Sequence, residues 1–206
     1  NGKGAEAVIN DSVFRDYEPD YIFALHNLPG YPCHEIIFKK EEFTAAVKTL
    51  VMKFFGVTAH AAEPENGVNP AVAMASIVQK SKSLTNNDPD ADDFQLITPV
   101  YATLGDKAYG ISAGYGELHL TIRSWKQKRL DKLGQRILDF SQHKSEEYNV
   151  KIEHEWLEVF AATQNNAESV DIIDQSIQKL GYHYKCKRLP FKWGEDFGLF
   201  TQKYKG

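Results

Sequence analysis

Three places in this chain hold residue types that can do chemistry at a spacing that would present them. The first is His60, alone in the small-residue stretch Gly56-Val57-Thr58-Ala59-His60-Ala61-Ala62-Glu63-Pro64. Histidine both moves protons near neutral pH and ligates metals, and polar residues on turns between regular elements are positioned by the scaffold beneath them. The second is His26, which follows the apolar run Tyr21-Ile22-Phe23-Ala24-Leu25. Such a run suits a strand buried on both faces, and the carboxyl ends of those strands are where open α/β sheets place ligands. The third is the pair His119 and Arg123, which share a face with Thr121 because Leu118, Leu120 and Ile122 alternate with them. Each has a plainer reading. His60 alone is a solvated histidine, His26 a turn cap and His119 an exposed strand residue.

The elements that would hold these residues follow from periodicity. Glu35–Lys40 reads as a short strand and 5–14 as a short helix. From 45 to 162 the order is strand (46–57), helix (70–84), strand (94–104), strand (117–123), helix (128–148) and strand (150–160). Asn69 is placed to cap the first of those helices, with Pro70 where its missing N–H costs nothing. Val72, Ile77, Val78 and Leu84 mark its apolar stripe. Pro99 predicts an edge or a bulge for the second strand. Two helices and four strands in βαββαβ order give a ferredoxin-like sandwich. After Asn165-Asn166 a helix carries Val170, Ile173, Ile177 and Leu180 along one side and ends at Gly181. A strand over 182–189 and a last element from Trp193 complete the chain. The organisation is therefore an α/β domain, 1–44 and 163–206, interrupted by a sandwich domain at 45–162.

Composition removes several function classes. The 206 residues are 42% hydrophobic and 25% charged, with a net charge of -4, as in an ordinary globular protein without the basic excess of a nucleic-acid partner. No apolar run reaches the ~20 residues of a membrane span. There is no Gly-rich phosphate loop after a strand and no G-x-S-x-G elbow. Cys33 and Cys186 form no metal or redox motif and read as buried or idle thiols, which fits a reducing, cytoplasmic setting. The chain opens on Asn1-Gly2-Lys3-Gly4, with neither an initiator Met nor a signal peptide, and reads as a piece of something longer.

Four stretches in order, Ala24-Leu25-His26-Asn27, Gly56–Pro64, Leu120-Thr121-Ile122-Arg123 and Gly194-Glu195-Asp196-Phe197, resemble the M20 family of metallopeptidases and amidohydrolases. Within it they look most like the aminoacylase, hippurate hydrolase and auxin-conjugate hydrolase branch. The resemblance covers nearly the whole chain. It implies a zinc-peptidase-like α/β catalytic domain interrupted by a lid, or dimerisation, domain. It also implies hydrolysis of the amide of an N-acyl amino acid by water held between two divalent metal ions, Zn or Mn. By position, His26 matches the metal-binding histidine. His60 matches the lid histidine that reaches the partner's active site, where a donor stabilises the oxyanion. Arg123 matches a lid arginine that can grip the substrate's carboxylate, and His119 shares its face. Glu195-Asp196-Phe197 matches an acidic-aromatic signature near the active site.

The same resemblance places much of the metal site outside this sequence. The first metal-binding cluster and the adjacent Glu-Glu pair would precede Asn1, and a last histidine ligand would follow Gly206. Glu41-Glu42, at the domain junction, is not that pair. Gly110 stands where the family often has a substrate-binding asparagine, and Ala113 replaces a proline. The expectation is a homodimer formed through the lid, with an incomplete metal site and no activity in this segment alone. The competing reading is a non-catalytic dimerisation or small-molecule-binding module.

Overall fold

The computed structural model describes residues 3–206; the opening Asn1-Gly2 lies outside them. In chain order the elements are α1 (Gly4–Asn10), α2 (Ser12–Arg15), β1 (Ile36–Phe38), β2 (Glu41–Glu42), β3 (Ala46–Phe55), β4 (Ala59–His60), α3 (Ala71–Ser83), β5 (Gln95–Leu104), β6 (Ile111–Ser112), β7 (Tyr115–Ser124), α4 (Gln127–Glu147), β8 (Lys151–Phe160), β9 (Gln164–Asn165), α5 (Ala167–Leu180), β10 (Tyr184–Cys186) and α6 (Gly198–Lys203). The chain divides into two units. Unit 1 holds 1–47, 125–127 and 159–206; unit 2 holds 48–124 and 128–158.

Unit 2 is built on a four-stranded sheet in the order β5-β7-β3-β8. On β7 the alternation holds throughout: Leu118, Leu120 and Ile122 are fully buried, while Glu117, His119, Thr121 and Arg123 are partly open on the other face. The buried face lies under the helices. The backbone of Gly116 passes so close to Met74 of α3 that a Cβ would stand 2.6 Å from its Sδ. At Gly134, α4 comes as close to Lys48 and Trp156. Leu130, Leu133 and Ile137 of α4 and Ile77 of α3 complete this core. Strand β5 is an edge, and its register against β7 slips between Pro99 and Tyr101, so the proline marks both an edge and a bulge.

Unit 1 contains smaller pieces. β1 pairs in parallel with β10, and β2 pairs antiparallel with β9. Helix α5 lays Val170 and Ile177 against Phe38. Its start is fixed by Asn166, whose side chain accepts from the N–H groups of Glu168 and Ser169; its end is fixed by Gly181 at φ 71.

Several expectations are corrected. Tyr21–Leu25 forms no strand and is mostly exposed: Leu25 is fully open, Phe23 is 48% exposed, and the stretch makes only a single bridge, Tyr21 to Lys205, among the described residues. A strand needs neighbours on both sides to be buried, and among the described residues only Tyr21 bridges to one. The helix expected over 5–14 breaks at Asp11, which is extended and caps Val13 with its own carboxylate. Asn69 stands one residue outside the cap position, which Pro70 takes, although its Oδ1 still accepts from Ala71 N–H. Val72 and Val78 face outward; Ile77 and Leu84 are buried as expected, with Ala73 and Met74 in place of the two valines. Leu180 is exposed at its helix end. The strand expected over 182–189 shrinks to Tyr184–Cys186. Both cysteines are exposed free thiols. No helix among the described residues is long and apolar enough to cross a membrane.

Candidate functional site

The candidate residues fall in both units: His26 and Glu195 in unit 1, and His60, His119 and Arg123 in unit 2.

His26 follows the irregular stretch after Tyr21. Its Nδ1 lies 2.9 Å from the carbonyl oxygen of Asn27. A carbonyl only accepts, so in the neutral ring Nδ1 carries the proton and Nε2 keeps its lone pair, the tautomer that ligates a metal. The ring rests on Trp193, with centroids 5.2 Å apart. Beside it lies a cavity of about 100 Å³ lined by Phe43, Thr163, Ser169, Trp193 and Glu195 among others. Burial pushes the Glu195 carboxyl above its ordinary range; the Thr163 hydroxyl that donates to it at 2.8 Å and the nearby His26 oppose that shift. Asp196 has a structural partner, since its carboxylate accepts from Ala5 N–H at the start of α1.

His60 lies on a short antiparallel ribbon. β4 pairs with β6 (Ala59 opposite Ser112, His60 opposite Ile111), and Ala61 N–H donates to Gly110 O at 2.9 Å. The Nδ1 of His60 accepts from Ala62 N–H at 3.1 Å. The neutral ring therefore carries its proton on Nε2, and the exposed edge of the imidazole is a donor. The small residues around it allow chains to touch. Gly56 does not have a positive φ; its use is close approach, because a Cβ there would stand 2.0 Å from Val68 O. The chemistry at His26 and His60 thus runs in opposite senses: one ring offers a lone pair, the other an N–H.

On the open face of β7 the expected pair is part of a longer row. His119 packs its ring on Tyr101 at 4.7 Å and places Nε2 3.4 Å from Glu117 Oε2. Glu117 also accepts from the Tyr115 hydroxyl. That bond pushes the Tyr115 phenol up to about 12 and pulls Glu117 below its ordinary range. Arg123 is half-buried, which lowers its pKa. Tyr115 and Glu117 were absent from the sequence-based candidates, although their spacings of four and two from His119 already placed them on its face.

Among the described residues, no group of three or more His, Cys, Asp or Glu side chains is gathered closely enough to hold a metal ion. A closed zinc site takes four ligands. His26 offers one correctly disposed nitrogen, so it fits as one member of a set and not as a site by itself.

The chain belongs to peptidase family M20/M25/M40, whose family model matches residues 1–205. Among its relatives, an N-acetyldiaminopimelate deacetylase of Bacillus pumilus is 27% identical over 98% of this chain and 54% of its own length. A hippurate hydrolase of Campylobacter jejuni is 22% identical over 98% and 53%. The chain spans about half the length of the curated relatives it matches. In fold it is similar to the YXEP protein of Bacillus subtilis, a dinuclear metal binding peptidase from the M20 family, with a TM-score of 0.77, 18% identity, and coverage of 100% of this chain and 51% of that one.

Proposed function

We propose that this chain is part of a metal-dependent amidohydrolase that cleaves N-acyl amino acids or similar small amides with metal-activated water. The observation that carries the reading is the opposite tautomers of the two histidines. His26 presents the lone pair a divalent ion needs. His60 presents the N–H that a tetrahedral oxyanion needs. Family membership and relatives that hydrolyse acylated amines support the same class of chemistry.

In this reading residues 1–44 and 163–206 are segments of the catalytic domain, and 45–162 is a ferredoxin-like lid; the sheet order β5-β7-β3-β8 supports that assignment. The complete enzyme holds two divalent ions, Zn or Mn, with His26 as one ligand and the remaining ligands and the base supplied from outside this chain, which alone is inactive. Arg123 grips the substrate's carboxylate, and His119 shares its face. Homodimerisation through the lid places His60 in the partner's active site. The exposed Val100, Tyr101 and Leu104 on the edge strand β5 support a protein contact there. They also support the second reading, a dimerisation or small-molecule-binding module without chemistry of its own. Two unpaired, exposed thiols support a reducing, cytoplasmic setting.

The test is His60→Ala in the complete enzyme. Turnover of N-acyl amino acids should fall about 10²–10³-fold, the cost of one oxyanion donor, with metal content unchanged. Unchanged turnover removes His60 from the mechanism and favours the module reading.

A further inference from the structure

The segment Trp193–Gly198 makes contacts that a pair of active-site carboxylates does not require. Unit 1 sends the chain out after Val47, holds it again briefly at 125–127, and takes it back at Val159. Both ends of that excursion lie against this one segment. Thr44 is fully buried and Thr163 almost so. The Thr44 hydroxyl donates to Thr163 Oγ1 at 2.9 Å, and the Thr163 hydroxyl donates onward to Glu195 Oε1 at 2.8 Å. Backbone bonds bind the same place: Phe43 N–H to Thr163 O, Ala45 N–H to Phe191 O, and Phe191 N–H to Phe43 O.

Two glycines let the segment approach. At Gly194 a Cβ would stand 2.7 Å from Val47 Cγ2 and 3.2 Å from Phe160 Cβ; at Gly198 it would stand 2.4 Å from Ala161 O. The departing stretch 44–47 and the returning stretch 160–163 are thus both held by residues 194–198. The segment also carries Trp193, whose ring centroid lies 5.2 Å from that of His26 and 5.0 Å from that of Phe191.

Hydroxyls in series that end on a carboxylate polarise one another, and each buried one would be costly to leave unpaired. The Glu195 carboxylate also accepts from the backbone N–H of Phe197, within its own segment, so the Thr163 hydroxyl is its link to the returning chain. We propose that Glu195 is a positioning residue. Through the Thr163–Thr44 hydroxyl pair it clasps the outgoing and returning chain of unit 1 together, and so keeps Trp193 seated against the His26 imidazole. The clasp stands on geometry alone; its importance for catalysis rests on reading His26 as a metal ligand.

The experiment uses the 206-residue chain without metal or substrate, so its outcome is independent of amide hydrolysis and of the His60 test. Nuclear magnetic resonance reads two things. The first is the ring-current displacement of the His26 carbon-bound protons by Trp193, assigned with His26→Ala. The second is amide exchange at Phe43 and Ala45, with Leu120 in unit 2 as the internal reference. In Glu195→Ala and in the nearly isosteric Thr163→Val, the displacement should collapse and exchange at Phe43 and Ala45 should speed by about tenfold or more, as for loss of one buried hydrogen bond to a charged group. Leu120 should not change. Glu195→Gln keeps an oxygen that accepts from Thr163 and should retain both signals. Retention of both signals in Thr163→Val overturns the clasp. So does a Glu195→Gln variant that behaves like Glu195→Ala.

Discussion

Gly198 offers a graded test of how tightly the junction of unit 1 is packed. A methyl group there would lie 2.4 Å from Ala161 O and 3.0 Å from the carbonyl carbons of Ala161 and Ala162. Carbon contacts are comfortable at about 3.5–4.0 Å, so the chains must separate by roughly half an ångström to one ångström. Every atom met is backbone, and no side-chain rotation relieves the overlap. Overpacking costs about 1–3 kcal/mol, and a backbone neighbour points to the upper part of that range. Alanine returns up to about 1 kcal/mol by reducing the freedom of the unfolded chain. The expected net loss for Gly198→Ala is therefore about 1–2 kcal/mol. Gly194→Ala meets side-chain atoms of Val47 and Phe160 that can give a little, and should lose less. Gly110→Ala meets nothing within 4 Å at an ordinary φ and should change stability by no more than about 0.5 kcal/mol. Urea unfolding, comparing midpoints at constant slope, ranks the three. If Gly198→Ala matches Gly110→Ala, the close approach of α6 to 161–162 is wrong.

Two further outcomes follow from particular contacts. By ultraviolet titration the Tyr115 phenol should ionise near 12, and Glu117→Gln should return it toward the ordinary 10.0. Because the folded value is the raised one, this contribution to stability is whole below about pH 10 and is lost as pH rises through about 12; ionisation at 10 in the intact protein would dispose of the Tyr115–Glu117 bond. Asn166→Ala removes the acceptor for two N–H groups at the start of α5 and should cost about 1 kcal/mol, whereas Asn166→Asp should cost little; equal stability of the alanine variant and the parent would show that the cap contributes nothing.

Local patterns were legible in the sequence because one-sided burial imprints them. β7 has one dry face, so its residues alternate and its polar row is readable before any coordinates. Pro99 has no N–H, so its strand must be an edge or carry a bulge, and β5 does both. Tyr21–Leu25 misled because a continuous apolar run reports a strand's preference for burial, not whether neighbours are present to bury it. The Thr44–Thr163–Glu195 chain was not legible at all. Thr44 and Thr163 stand 119 residues apart, and nothing about an isolated threonine announces a partner at that separation. The tautomers of His26 and His60 were equally hidden, since each depends on one backbone group placed by the turn around it.

The strands that open and close unit 2, β3 and β8, are neighbours in its sheet. Its two ends come together as well, since Val47 at the start of β3 and Phe160 at the end of β8 both stand against Gly194. To the host chain, a long insertion behaves like a short bridge. The entropy of closing a loop grows only by about 0.6 kcal/mol for each doubling of length, and a folded guest with adjacent ends removes even that growth. The host can accept an insertion larger than either of its own flanking segments at almost no entropic cost.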